Sequence, residues 1–272
     1  LDLDREQLRE FAPRYWRLQR GVGWNAQAQL DGLAAFHELV ASFEPLFEAR
    51  RADPGDDLVS AIASLDGDGG PPTAADLVAT ILETDHETLH GGLANLWHLL
   101  LTHPDQLETV TGEPRLLKFA WLEALRHAPA VHAASRFARH EVERFGRLIP
   151  AGGLVYCSAA AANRDPRVFA DPERFIVGRK DLCQREPRGQ YRADGLPSGI
   201  AFGLGKPSVH PAVPKERPRS LYAITRDVAV RASQMLLDAY PAIRLHDGAE
   251  PRLRSLRLGE MYISWHLPVR LQ

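Results

Sequence analysis

The chain has 272 residues, 44% hydrophobic and 25% charged, values ordinary for a folded protein with a sizeable core; they exclude a wholly disordered chain, a coiled coil and a collagen. Its 33 Lys and Arg against 35 Asp and Glu give a net charge of −2, which argues against a nucleic-acid binder, since that would need a basic face. Two cysteines, Cys157 and Cys183, cannot build a disulfide framework and point to a reducing, cytoplasmic setting, and no apolar run reaches the ~20 residues of a membrane span.

The start, Leu-Asp-Leu-Asp-Arg-Glu, has neither the basic flank nor the apolar stretch of a signal peptide and no Met, so a single domain over 1–272, incomplete at its N-terminus, is expected. Leu8, Phe11, Tyr15, Trp16 and Leu18 predict a helix over 4–20, and Leu30, Leu33, Leu39, Phe43 and Phe47 predict a second over 27–51. A short helix over 57–65 precedes a Gly- and Pro-rich loop at 66–72, after which Thr73 and Asp76 have the spacing of a helix N-cap pair. A long helix is predicted over 74–102, apolar around most of its circumference, with a polar middle of Thr84, Asp85, His86, Glu87, Thr88 and His90. Polar residues inside a buried helix are costly unless paired, so this segment is a candidate site. Helices at 104–110 and 114–128 follow.

Beyond residue 134 the pattern changes to short strand-like runs at 136–143, 147–149 and 153–158. Residues 160–200 are loop-rich, and the charged stretch 179–194 reads as a solvated loop. An amphipathic helix over 219–240 and an alternating C-terminal hairpin complete a mainly α chain with a small β part. The five tryptophans, Trp16, Trp24, Trp97, Trp121 and Trp265, read as packing residues, and His127, His132 and His140 follow no ligand spacing.

Several motifs in order resemble the cytochrome P450 superfamily, especially its bacterial soluble members. Asp85-His86-Glu87-Thr88 resembles the oxygen-activation segment of the family's central helix, and Thr102-His103-Pro104 the turn after it. Glu123-Ala-Leu-Arg126 fits the ExxR motif, while Arg136 and Ile149-Pro150-Ala151-Gly152 fit the stretch that follows. Asn163-Arg164-Asp165-Pro166 and Asp171-Pro172-Glu173-Arg174-Phe175 resemble the meander, and Phe202-Gly203-Leu204-Gly205 the start of the haem-ligand loop. The resemblance implies the C-terminal portion of a P450-like fold: long central helix, ExxR helix, meander, final helix and C-terminal hairpin. It also implies a charge network of Glu123, Arg126 and Arg174 that fixes the scaffold beneath the haem.

The family's iron is held by a Cys thiolate a few residues after this turn, whose electron push favours O–O cleavage. Here the loop continues Lys206-Pro207-Ser208-Val209-His210-Pro211, and no register places a cysteine at the ligand position. No cofactor is therefore expected, with haem or a divalent metal as alternatives; His210 and Arg136 are the weak candidates for holding haem. Glu87 and Thr88, with Asp85, are the candidates for proton transfer. His86-Glu87-Thr88-Leu89-His90 also spells H-E-x-x-H, in which His86 and His90 share a helix face and can share a metal, with Glu87 as base and Glu108 or Glu113 as the nearest downstream carboxylates.

Three functions compete. The resemblance offers haem-less P450 homologues of macrolide and anthracycline pathways that activate a sugar transferase. That reading expects an auxiliary protein of bacterial secondary metabolism with a protein partner or a second copy. The second is a P450-derived enzyme using its cavity for non-oxidative or metal-assisted chemistry on a small hydrophobic molecule. The third is a haem-dependent monooxygenase with an atypical ligand loop.

Overall fold

The computed structural model describes residues 5–21, 25–65, 70–83, 86–183, 221–248, 250–256 and 259–271. They fall into two units, the first running to His86 and including Leu256, the second running from Glu87 to Ser255 and from Gly259 onward.

The first unit is helical: α1 (Arg5–Arg20), α2 (Ala26–Ala52), α3 (Leu58–Ala63) and α4 (Ala74–Glu83). Its helix ends are set by side chains. The Asn25 carbonyl oxygen accepts from the Ala28 N–H at 2.9 Å to start α2, and Asp57 accepts from the Ser60 N–H at 2.9 Å to start α3. Arg50, in the last turn of α2, donates to the same Asp57 at 2.6 Å. Together these bonds hold the Asp57 carboxyl below its usual range, the Ser60 N–H contributing most. At α4 the predicted cap pair forms with the carboxylate as acceptor: Asp76 receives the Thr73 N–H and hydroxyl, both at 2.7 Å. Leu39, Phe43 and Phe47, spaced by four on α2, pack with Val59 and Ile62 of α3 and with Leu77, Val78 and Ile81 of α4. Burying each large side chain contributes about 1.5–3 kcal/mol.

The second unit holds α5 (His86–Thr102), α6 (Pro104–Gly112), a 3-10 turn at Pro114–Leu116 and α7 (Leu117–His127). Where sequence periodicity predicts one helix over 74–102, the structure describes α4 and α5 separately, with residues 84–85 outside the description. Pro104 occupies the first turn of α6, where its missing N–H costs nothing. Helix α7 is buried at Leu117 and at every position from Ala120 to Arg126, so it forms the axis of this unit.

The predicted strand 136–143 is two strands and a turn. Strand β1 (Ala133–Phe137) pairs antiparallel with β4 (Leu154–Ser158), whereas β2 (Val142–Arg144) forms a hairpin with β3 (Arg147–Ile149). Gly146 (φ 66°) takes the turn conformation that L side chains resist, and Phe145 beside it (φ 53°) accepts that cost. After the one-turn α8 (Ala159–Ala162) and the meander come α9 (Leu221–Ala239), β5 (Arg244–Leu245), β6 (Arg252–Leu256), β7 (Met261–His266) and β8 (Val269–Arg270). The C-terminal strands pair as β5 with β8 and β6 with β7. The core joins α5, α6, α7 and α9 through Leu96, Leu100, Val110, Trp121, Ala229 and Leu237, and Phe169 and Phe175 of the meander enter it. Trp16, Trp97 and Trp121 are buried; Trp24 lies outside the described residues.

Candidate functional site

Among the described residues the most elaborate polar construction is centred on α7. Glu123 and Arg126 are one turn apart, and both side chains are fully buried. Arg126 Nε donates to Glu123 Oε2 and its second terminal nitrogen to Oε1, each at 2.8 Å. The remaining guanidinium hydrogens go to main-chain carbonyls of the meander: Asn163 at 2.9 Å, Pro172 at 2.8 Å and Arg174 at 3.0 Å. Glu123 Oε1 also accepts the Ile176 N–H at 3.0 Å.

Arg174 thus enters this network through its carbonyl, while its own side chain is exposed. The second buried cation is Arg179, whose Nε donates to Glu123 Oε1 at 3.1 Å and whose terminal nitrogen donates to both Asp181 oxygens at 3.0 Å. The expectation of a solvated stretch from residue 179 is corrected there: the Arg179 side chain is 4% exposed, because two carboxylates compensate its desolvation. The Phe169 ring lies 5.2 Å from the Arg126 guanidinium and 5.9 Å from that of Arg179. Two guanidiniums against two carboxylates make the cluster neutral, and such a cluster is stable only while every member keeps its partners. The chemical result is rigidity, with α7 and the meander locked as one piece.

Helix α5 is seated on this piece by Gly91 and Gly92. A Cβ at Gly92 would lie 2.6 Å from the Trp121 ring, and one at Gly91 would lie 2.5 Å from Ile263; only glycine allows that approach. One turn on, Asn95 donates to the carbonyls of Ala128 (2.9 Å) and Tyr262 (3.0 Å) and accepts the Ser264 N–H (2.7 Å). These three bonds fix the roll of α5 against the end of α7 and against β7.

With α5 so oriented, His90, Leu93 and Trp97 line an open cavity of about 600 Å³, flanked by Leu236 of α9, Leu267 and Val269. It is of a size for a drug-sized apolar molecule. His90 is exposed at this cavity.

The other candidates scatter. The backbone of His86, Glu87 and Thr88 begins α5, and Asp85 and His210 lie outside the described residues. Arg136 is exposed on β1 and donates to the Ser135 carbonyl at 2.8 Å. Glu108 is exposed on α6, and Glu113 pairs with Arg115. Among the described residues no three His, Cys, Asp or Glu side chains come together to hold a metal ion. Sequence reasoning missed Arg179 and Asn95. For Arg179 a usable signal was Asp181 two residues on; for Asn95 there was none beyond a polar residue inside an apolar helix.

The Cytochrome P450 family profile matches residues 115–186, the span of α7, β1–β4 and the meander. The chain is 36% identical over 251 residues to 6-deoxyerythronolide B hydroxylase of Saccharopolyspora erythraea, covering 90% of this chain and 55% of that protein. The chain belongs to the cytochrome P450 superfamily. It is 36% identical over 187 residues to cytochrome P450 monooxygenase PikC of Streptomyces venezuelae, covering 67% of this chain and 42% of that one. The P450 fold is likewise found in the crystal structure of P450BioI in complex with a hexadec-9Z-enoic acid ligated acyl carrier protein, at TM-score 0.72 and 23% identity, covering 100% of this chain and 64% of that one. The chain therefore spans about half the length of the curated P450s it matches. Among the described residues no helix is long and apolar enough to cross a membrane.

P450s normally bind haem, so the expectation of no cofactor has no support from these relatives. The donor set of this chain nonetheless does not fit a thiolate-held haem. Of its two sulfhydryl residues, Cys157 lies inside β4, opposite Ala134 of β1, and Cys183 ends the 3-10 turn that begins at Lys180. Residues 184–220, which contain the Phe202-Gly203-Leu204-Gly205 turn, contain no cysteine.

Proposed function

We propose that this P450 homologue serves bacterial secondary metabolism as an auxiliary partner of a tailoring enzyme, such as a glycosyltransferase, and does not itself oxygenate through thiolate-bound iron. The donor set carries this reading. Thiolate ligation is what lets a P450 push electron density into the O–O bond, and neither Cys157 nor Cys183 falls in the ligand loop.

Two further observations support a protein partner. Phe137 and Leu154, paired across β1 and β4, and Tyr156 on the same face are all more than half exposed, as are Phe145 and Leu148 of the neighbouring hairpin. Exposed apolar groups in such density mark interaction surfaces. The P450BioI structure is that of a related fold in complex with an acyl carrier protein. The names of the hydroxylase and monooxygenase relatives support the natural-product setting.

The cavity beside His90 favours a second reading, an enzyme that binds a small apolar molecule there and uses His86, Glu87 and His90 in metal-assisted chemistry. Expression alone and together with a candidate transferase separates these. The auxiliary role predicts colourless, metal-free protein that co-purifies with the transferase and raises its turnover. Stoichiometric zinc lost on His90→Ala supports the second reading, and a Soret band overturns both in favour of a haem enzyme.

A further inference from the structure

A second cavity, of about 230 Å³, lies in the second unit and is lined by three histidines: His98 on α5, His127 at the end of α7 and His132 just before β1. Arg164, Leu99 and the Tyr262 ring also line it, and no acidic side chain does among the described residues. The His127 geometry fixes its proton. Nε2 stands 3.0 Å from the Glu173 carbonyl oxygen, which only accepts, so Nε2 carries hydrogen and donates. Nδ1 of the neutral ring is then an acceptor. That nitrogen is buried and has no hydrogen-bond partner among the described residues. The His98 Nδ1 is 3.0 Å from the Ser264 hydroxyl, and the His132 ring packs on Tyr262 at 5.3 Å.

We infer that this cavity binds a small carboxylic acid, its carbon skeleton against Leu99 and Tyr262 and its carboxyl group between His127 Nδ1 and Arg164. The class follows from complementarity. Among the described residues His127 Nδ1 is the buried atom of the lining side chains that has no partner; the neighbouring guanidinium favours negative charge, and a carboxylate that binds together with one proton taken up from solvent satisfies both. The volume is below the ~300–1,000 Å³ of sites for drug-sized ligands, which limits the skeleton to about a single ring.

The groups acting on these rings are Arg164 on His127 and His132, Arg126 and Glu123 on His127, and His103 on His98. Glu173 of the meander pairs with Arg164 at 3.1 Å from an exposed position, so a ligand carboxylate displaces it at little cost. Burial first, then cationic neighbours, hold all three histidines below their ordinary value, the Glu173 carbonyl acting in the opposite sense on His127. They are therefore neutral in the empty site, and carboxylate binding takes up one proton, shared between the ligand and His127. Affinity for the carboxylate then falls up to about tenfold for each pH unit above neutrality.

Benzoate is the probe, titrated into the full chain by calorimetry at two pH values and in two buffers of different ionisation heat. The inference predicts one site, uptake of about one proton per benzoate, and at least about tenfold weaker binding in Arg164→Gln and in His127→Gln. The Gln amide of the latter can keep the bond to Glu173 while removing Nδ1. Histidine ¹⁵N shifts give a second readout that does not depend on the variants: the His127 Nδ1 signal moves to a protonated position as benzoate saturates. Absence of binding, equal and pH-independent binding of benzyl alcohol, or benzoate binding unchanged in both variants overturns the inference. Inorganic phosphate binding in place of benzoate overturns the carboxylic-acid assignment.

Discussion

Arg179 Nε donates to Glu123 Oε1 at 3.1 Å, joining a loop residue to a helix residue 56 positions earlier with both side chains out of solvent. The bond makes Glu123 the shared anion of two cations, so truncating one partner strands a buried charge. Arg179→Met is expected to destabilise the chain by about 3–5 kcal/mol, and Glu123→Gln by at least as much, in urea denaturation. The exposed Asp165–Arg167 pair is the control. It holds the Asp165 carboxyl at about 2, mainly through the Arg167 hydrogen bond, yet Arg167→Ala is expected to leave the denaturation midpoint unchanged.

Asn95 holds two carbonyls and one N–H belonging to segments 33 to 169 residues away. Replacing it with Leu leaves those buried main-chain groups unpaired, at a cost of about 2–4 kcal/mol. Hydrogen exchange locates the effect: the Ser264 amide is expected to lose protection, whereas amides within α9 keep theirs. Equal loss across the unit would show that Asn95 is not a local staple.

Gly92→Ala tests two opposed magnitudes. Alanine in a helix interior gains up to about 1 kcal/mol over glycine, but a Cβ 2.6 Å from Trp121 overpacks the core, typically by 1–3 kcal/mol. Net destabilisation is expected, and it is expected to shrink when Trp121 is shortened to Leu in the same chain. A double-mutant cycle reads this coupling.

His98, His127 and His132 set the acid side of the stability profile. Burial lowers all three in the folded state, so the unfolded chain binds more protons wherever the pH is between the folded values and about 6.5. Stability is therefore full above that unfolded value and declines as pH falls from it through the folded values. Thermal melting between pH 7.5 and 5.5 is expected to show this decline. The decline is expected to flatten when the three positions are changed to Gln.

The architecture was readable because its signals are local. Leu39, Phe43 and Phe47 announce a helix face by their spacing, Pro104 marks a helix start, and Glu123 and Arg126 identify a motif one turn long. What escaped was set by tertiary pairing. Arg179 reads as a solvated charge until Glu123 and Asp181 are seen around it. The alternating run 136–143 conceals a turn because strand periodicity says nothing of which partner each half takes. Gly91 and Gly92 look like weak points of a helix until Ile263 and Trp121 fill the space. The histidine cavity draws on residues from 95 to 262 that share no sequence spacing.

The central claim concerns sulfur and iron: Cys157 is committed to β4, opposite β1, and no cysteine follows Cys183. The direct measurement is the absorption spectrum of the chain expressed with supplemented haem precursor, reduced and exposed to carbon monoxide. The account predicts no Soret band that carbon monoxide shifts in the manner of a thiolate-bound haem; such a band, retained after Cys157→Ala and Cys183→Ala or lost with either, would contradict it.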